Sequence, residues 1–207
     1  MQMLEEFESC AMMAIIRSDN ELHARELGHA LVNAGMRIIE FTTTCPNVFG
    51  LIEEFAQEPI YVGVGTTTSK EQVRNAAKAG AGFVVSPHTD SEIIRETKKL
   101  NLISVPGVGT ATDVATAIAS EADLLKLFPA STYGASHLKA LRDPFPNQRW
   151  IATGGVNISS VSEWFTAGVQ GFGLGGPLTN GGLTQVNERV REFRDAITKA
   201  KLAQKNP

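Results

Sequence analysis

Two charged residues stand where a charge is expensive. Lys126 lies in the stretch from Glu121 to Pro129, EADLLKLFP, an otherwise apolar run with strand character. Strand alternation puts Leu124, Lys126 and Phe128 on one face and Leu125 and Leu127 on the other. Burying an unpaired ammonium costs several kcal/mol, so such a lysine either finds a carboxylate or is driven toward the neutral amine, which attacks carbonyls. The competing reading is a packed stem whose head reaches water at the strand end, which Pro129 marks as near. Glu40 repeats the pattern in RIIEFTTT, where alternation gives Ile38 and Glu40 a common face. If both strands face one interior, the carboxylate balances the lysine and is placed to move protons at a lysine-bound carbon.

Glycine pairs supply a second kind of chemistry. Gly154–Gly155 and Gly175–Gly176 each follow a short apolar run, where backbone N–H groups can hold a phosphate if no Cβ intervenes; tight turns alone would also account for them. Gly65 and Thr66 in GVGT offer N–H groups and a hydroxyl to a carboxylate, but GVGTTTS lacks the third glycine of a dinucleotide fingerprint, Ser69 standing in its place. His23, His29 and His137 read as solvated helix positions, whereas His88 follows Pro87 at a strand end. No cluster has metal-ligand spacing and no Gly-x-Ser-x-Gly elbow occurs, so neither a metal nor another cofactor is expected.

The elements that must carry these residues alternate. Candidate strands are Met12–Arg17, Arg37–Thr43, Ile60–Gly65, Phe83–Pro87, Ile103–Gly107, Leu124–Phe128, Trp150–Thr153 and Gly171–Gly175, eight in all, after a leading helix over residues 1–10. Helix starts are marked by hydroxyl residues answered three places on: Ser18 by Glu21, Ser69 by Gln72, Thr89 by Glu92, Ser160 by Glu163. Ala-Gly ends several helices, with Gly35, Gly80 and Gly168 fitting left-handed positions. Eight βα units in 207 residues predict one compact α/β domain over 1–207, a parallel (β/α)8 TIM barrel; an open doubly wound sheet is the alternative. Either way, function belongs at the C-terminal ends of the strands.

A net charge of −3, with no basic cluster, argues against nucleic acid and against a polybasic membrane contact, leaving a small molecule as the expected partner. Two distant cysteines, Cys10 and Cys45, suggest neither a disulfide framework nor zinc. The acidic start and the absence of any long apolar run predict a soluble cytoplasmic protein.

IIEFTTTCP, GVGTTTS, SPHTD, KLFPAS, TGGV and LGGPL carry a resemblance, extending over nearly the whole chain, to one family: the class I aldolases of 2-keto-3-deoxy-6-phosphogluconate (KDPG), 4-hydroxy-2-oxoglutarate (KHG) and the 6-phosphogalactonate epimer (KDPGal). The resemblance implies Lys126 as the imine-forming lysine and Glu40 as general acid/base. It implies Arg17, Thr44, Gly65, Thr66, Pro87 and Phe128 around the keto acid and Gly154, Gly155, Gly175 and Gly176 around phosphate. It further implies cleavage of the phosphogluconate compound to pyruvate and glyceraldehyde 3-phosphate, with the galactonate epimer or a phosphate-sugar isomerase or epimerase activity as alternatives, and a metal-free homotrimer. Two positions depart from the pattern. Thr44 stands where the gluconate branch has an arginine, for which Arg17 is the candidate replacement, and Pro177 stands where a serine often follows the last glycine pair.

Overall fold

The computed structural model describes residues 2–205; Met1, part of the expected leading helix, lies outside the described residues. α1 (Gln2–Cys10) precedes β1 (Met12–Ile16), α2 (Glu21–Asn33), β2 (Ile38–Thr42), α3 (Val48–Phe55), β3 (Tyr61–Gly65), α4 (Lys70–Lys78), β4 (Phe83–Val85) and α5 (Ser91–Lys99). Then come β5 (Ile103–Val105), β6 (Gly107–Val108), α6 (Ala111–Ala119), β7 (Leu125–Leu127), α7 (Ala130–Arg142), β8 (Trp150–Thr153), α8 (Val161–Ala167), β9 (Gly171–Leu174), α9 (Gly176–Thr179) and α10 (Val186–Lys205).

The strands pair in parallel in the order β5-β4-β3-β2-β1-β9-β8-β7-β6. β5 and β6 are the two halves of one stave, interrupted at Pro106, which has no N–H to give the ladder. That stave accepts from Ser86 N at Val105 O and donates from Gly107 N to Ser86 O on one side; on the other, Lys126 N donates to Pro106 O at 2.9 Å. The ring is therefore a (β/α)8 barrel of eight staves and nine strands, as expected. The strands are shorter than the apolar runs: Arg17, Pro87 and Phe128 fall just past their C-terminal ends. Ladder pairing stops where the backbone turns outward, while hydrophobicity runs on into the loops.

Alternation divides the barrel into two buried layers. Ile39, Phe41, Val62, Val64, Leu125, Leu127, Phe172 and Leu174 face the helices, while Met13, Ile38, Phe83, Val105, Leu124 and Ile151 fill the bore. Met3 and Phe7 of α1 join the bore cluster and close its N-terminal end. β3 and β9 give glycines to the bore: a Cβ on Gly63 would stand 2.6 Å from the Phe83 ring, and one on Gly171 would stand 2.7 Å from that of Phe7. Small positions on these strands make room for large ones beside them.

Helix starts depart from expectation in three of four cases. Ser69 caps α4, accepting from Gln72 N. Asn20, not Ser18, caps α2, and Asp90, not Thr89, caps α5. Ser160 makes no side-chain cap for α8; it closes a 3-10 turn capped by Asn157. Asn and Asp side chains cap as well as hydroxyls do, so an Asx residue within a position or two takes the role. Thr110 and Asp113 form a reciprocal capping box on α6 that the pattern of hydroxyls and Glu or Gln did not mark. Gly35, Gly80 and Gly168 take the expected left-handed conformation, with φ of 83°, 88° and 97°. Among the described residues no helix is long and apolar enough to cross a membrane.

Candidate active site

Lys126 and Glu40 both project from the inner face near the C-terminal ends of their strands, 6 % and 2 % exposed. Ile38 and Leu124 beneath them belong to the bore cluster, which confirms the alternation. Glu40 has its place because β3 has no side chain at Gly65: a Cβ there would lie 1.6 Å from Glu40 Oε1. Glu40 Oε2 is buried without a hydrogen-bond partner among the described residues.

Burial governs the electrostatics of the pair. It pushes Glu40 up from 4.5 to about 7, against the positive charges of Lys126 and Arg17. The Lys126 pKa is lowered from its ordinary 10.5 by burial, opposed by Glu40 and assisted by Arg17. Burial thus moves the two pKa values toward each other, the condition for passing a proton between such groups. The Lys126 ammonium sits 4.8 Å from the centroid of the Phe128 ring, the aromatic partner on its own strand face.

Arg17 leans over the mouth from the end of β1. Its Nη2 donates to Thr66 Oγ1 at 3.0 Å and its Nη1 to Thr44 Oγ1 at 3.4 Å. The structure thus brings Arg17, Glu40, Thr44, Gly65, Thr66, Lys126 and Phe128 into one neighbourhood. A cleft of about 400 Å³ opens beside it, lined by Arg17, Ser18, Asp19, His23 and Thr44. Pro87 packs its backbone on Gly107, the residue paired with Lys126 in the ladder; a Cβ on Gly107 would be 2.5 Å from the Pro87 carbonyl.

The two glycine pairs end adjacent strands. Gly154 and Gly155 both have positive φ, 90° and 80°, a conformation that favours glycine. A Cβ on Gly154 would stand 3.3 Å from the Phe128 ring and one on Gly155 2.4 Å from Ser131 Cβ, so this turn abuts the segment that follows the lysine strand. Gly175 has φ −96° and precedes the four-residue α9, whose Leu178 is fully buried.

Thr153 was missed by sequence reasoning. It shares the inner face with Ile151, is 5 % exposed, and its hydroxyl has no partner among the described residues. Its position one residue before Gly154, in phase with a bore residue, was the available signal. His137 departs from a solvated reading: it is partly buried, bonds the Gly109 carbonyl at 2.7 Å and stacks on Tyr133. His29 joins Glu54 and the Phe55 ring. Among the described residues no group of three or more His, Cys, Asp or Glu could hold a metal ion.

Comparison with known proteins gives one consistent result. A family model described as "Aldolase: KDPG and KHG aldolase" matches residues 4–191. The 2-dehydro-3-deoxy-6-phosphogalactonate aldolase of Escherichia coli K12 is 31 % identical over 194 residues, spanning 91 % of this chain and 93 % of that protein. The 2-dehydro-3-deoxy-phosphogluconate aldolase of Treponema pallidum is 28 % identical over 163 residues, spanning 77 % of this chain and 78 % of that protein. A solved structure described as native KDPGal superposes with a TM-score of 0.87 at 28 % identity, covering 92 % of this chain and 96 % of that one.

Proposed function

The chain belongs to the KDPG and KHG aldolase family, and from that premise we propose that it is a Schiff-base aldolase cleaving a 2-keto-3-deoxy-6-phospho sugar acid to pyruvate and glyceraldehyde 3-phosphate. The observation that carries the mechanism is the buried Lys126–Glu40 pair, with a lysine pKa lowered by burial and a carboxyl at about 7.

Neutral Lys126 adds to the C2 ketone, and loss of water gives a protonated imine. Glu40, as carboxylate, takes the C4 hydroxyl proton directly or through one water. The C4–O electrons form the aldehyde while the C3–C4 bonding pair moves onto the imine, leaving an enamine. The proton returns to C3, and hydrolysis of the imine releases pyruvate and the free amine. Arg17 and Thr66 orient the carboxylate of the keto acid, and the Gly154–Gly155 and Gly175–Gly176 turns hold the distal phosphate. Pro177 contributes no N–H to that cradle.

A gluconate configuration at C4 is the first reading. A galactonate configuration has specific support in Arg17, which reaches Thr44, the position departing from the gluconate pattern, and in the 31 % identity to the galactonate enzyme. Coupled pyruvate assays on both epimers and on unphosphorylated 4-hydroxy-2-oxoglutarate decide between them. The mechanism itself is tested by borohydride reduction in the presence of pyruvate: the expected result is one mass adduct on Lys126, absent in Lys126→Met. No adduct on the wild-type protein overturns the imine route.

A further inference from the structure

Three consecutive threonines follow Phe41 at the end of β2, and each hydroxyl has a different partner. Thr42, wholly buried, shares a 2.8 Å hydrogen bond with Thr44 Oγ1 and lies 3.7 Å from the Cys45 thiol. Thr44 Oγ1 in turn accepts from Arg17 Nη1. Thr43 works on the neighbouring strand instead: its hydroxyl donates to the Thr66 carbonyl at 2.8 Å, and its N–H donates to Gly65 O at 2.8 Å. Thr66 has φ of 58°, which a β-branched residue seldom adopts, and its hydroxyl accepts from Arg17 Nη2.

We propose that Thr42, Thr43 and Thr44 form a positioning bracket for Arg17. One arm runs Thr42–Thr44 and the other Thr43–Thr66; the two end on different nitrogens of one guanidinium and fix its plane above Glu40 and Lys126. Two-point holding matters for an arginine, whose planar fork recognises a carboxylate only in a defined orientation. The chemistry of the bracket matters equally. Among the described residues no carboxylate lies within ion-pair distance of Arg17; its partners are neutral hydroxyls. An ion-paired arginine would meet an anion already neutralised. Held by threonines, Arg17 keeps its full charge for an incoming carboxylate, and its flexible stem is ordered before the ligand arrives.

The role in substrate binding rests on the aldolase reading; the positioning of Arg17 does not. The charged and titratable groups facing Arg17 are Glu40 of β2 and Lys126 of β7, which both feel its charge, with Asp19 and His23 lining the same cleft. Arg17 lowers the pKa of both Glu40 and Lys126, so an Arg17 that swings away releases both upward.

The deciding experiment compares wild type with Thr44→Val, Thr43→Val and Thr43→Ser. Thr44 is exposed and accommodates valine even where Thr43→Val impairs folding. Carbon NMR titration of the Glu40 carboxyl in the resting protein is expected to show a higher midpoint in both valine variants and a wild-type midpoint in Thr43→Ser. Steady-state pyruvate release is expected to show KM for the keto acid raised about tenfold in the valine variants, with kcat within about twofold. Coincident Glu40 midpoints in wild type and a folded valine variant overturn the bracket. A wild-type protein that releases no pyruvate overturns the aldolase reading instead, and the titration still decides the bracket.

Discussion

At the scale of the residue, Glu40 matters more for when it ionises than for what it touches. Its carboxyl is held at about 7, so it is half ionised at neutral pH, and in the proposed mechanism, where it serves as the base, kcat/KM is expected to climb on an acid limb centred there. Glu40→Gln should remove that limb and lower kcat by about 10²- to 10⁴-fold, the usual worth of a positioned general base, in a coupled pyruvate assay across pH. The same shift leaves a mark on stability. Between 4.5 and about 7 the folded chain keeps a proton that the unfolded chain releases, so stability falls as pH rises through that window. Lys126 has the opposite sign: its lowered pKa makes stability rise with pH on the acid side of 10.5. Between about pH 5 and about pH 8, the denaturant midpoint should therefore drop further in wild type than in Glu40→Gln.

At the scale of the element, the strands work through what they omit as much as through what they carry. Gly65 is empty so that Glu40 can stand beside it, and Gly65→Ala should displace the carboxylate and lower kcat about 10²-fold, measured against a circular dichroism spectrum that stays that of a folded barrel. The burial of Lys126 and Glu40 on the inner face was legible in the sequence because each charge stands inside an apolar run whose alternation gives it a bore-facing neighbour two residues before, Leu124 and Ile38. The empty Gly65 was not, since its meaning depends on a side chain from the neighbouring strand. Strand number and helix exits at Gly35, Gly80 and Gly168 were equally readable, because periodicity and left-handed glycines are local properties. Caps were less so: Asn20 and Asp90 took over from Ser18 and Thr89, whose hydroxyls found other partners in Asn20 and Gly107. Thr110, paired with Asp113, is the clean case, and Thr110→Ala should lower stability by about 0.5–2 kcal/mol in urea unfolding.

At the scale of the whole molecule, chemistry and anchorage sit at opposite ends of one bore. Met3 and Phe7 seal the base under Met13, Ile38 and Ile151, while Lys126, Glu40 and Arg17 gather at the other end. Phe7→Ala should accordingly lower unfolding free energy by about 3–5 kcal/mol yet leave the pH profile of kcat/KM where it was. The sealed base has a further consequence, for the sequence of events in time. With the N-terminal end filled by apolar side chains, substrate and products have the C-terminal mouth as their route, the end where Lys126 and Glu40 stand. In the proposed imine route the pyruvyl fragment stays bonded to Lys126 when the C3–C4 bond breaks, so the aldehyde is expected to leave first and pyruvate last, and in the synthetic direction pyruvate is expected to load before the acceptor. Such a queue is expected to show itself as an ordered pattern of product inhibition, with both products passing through one mouth.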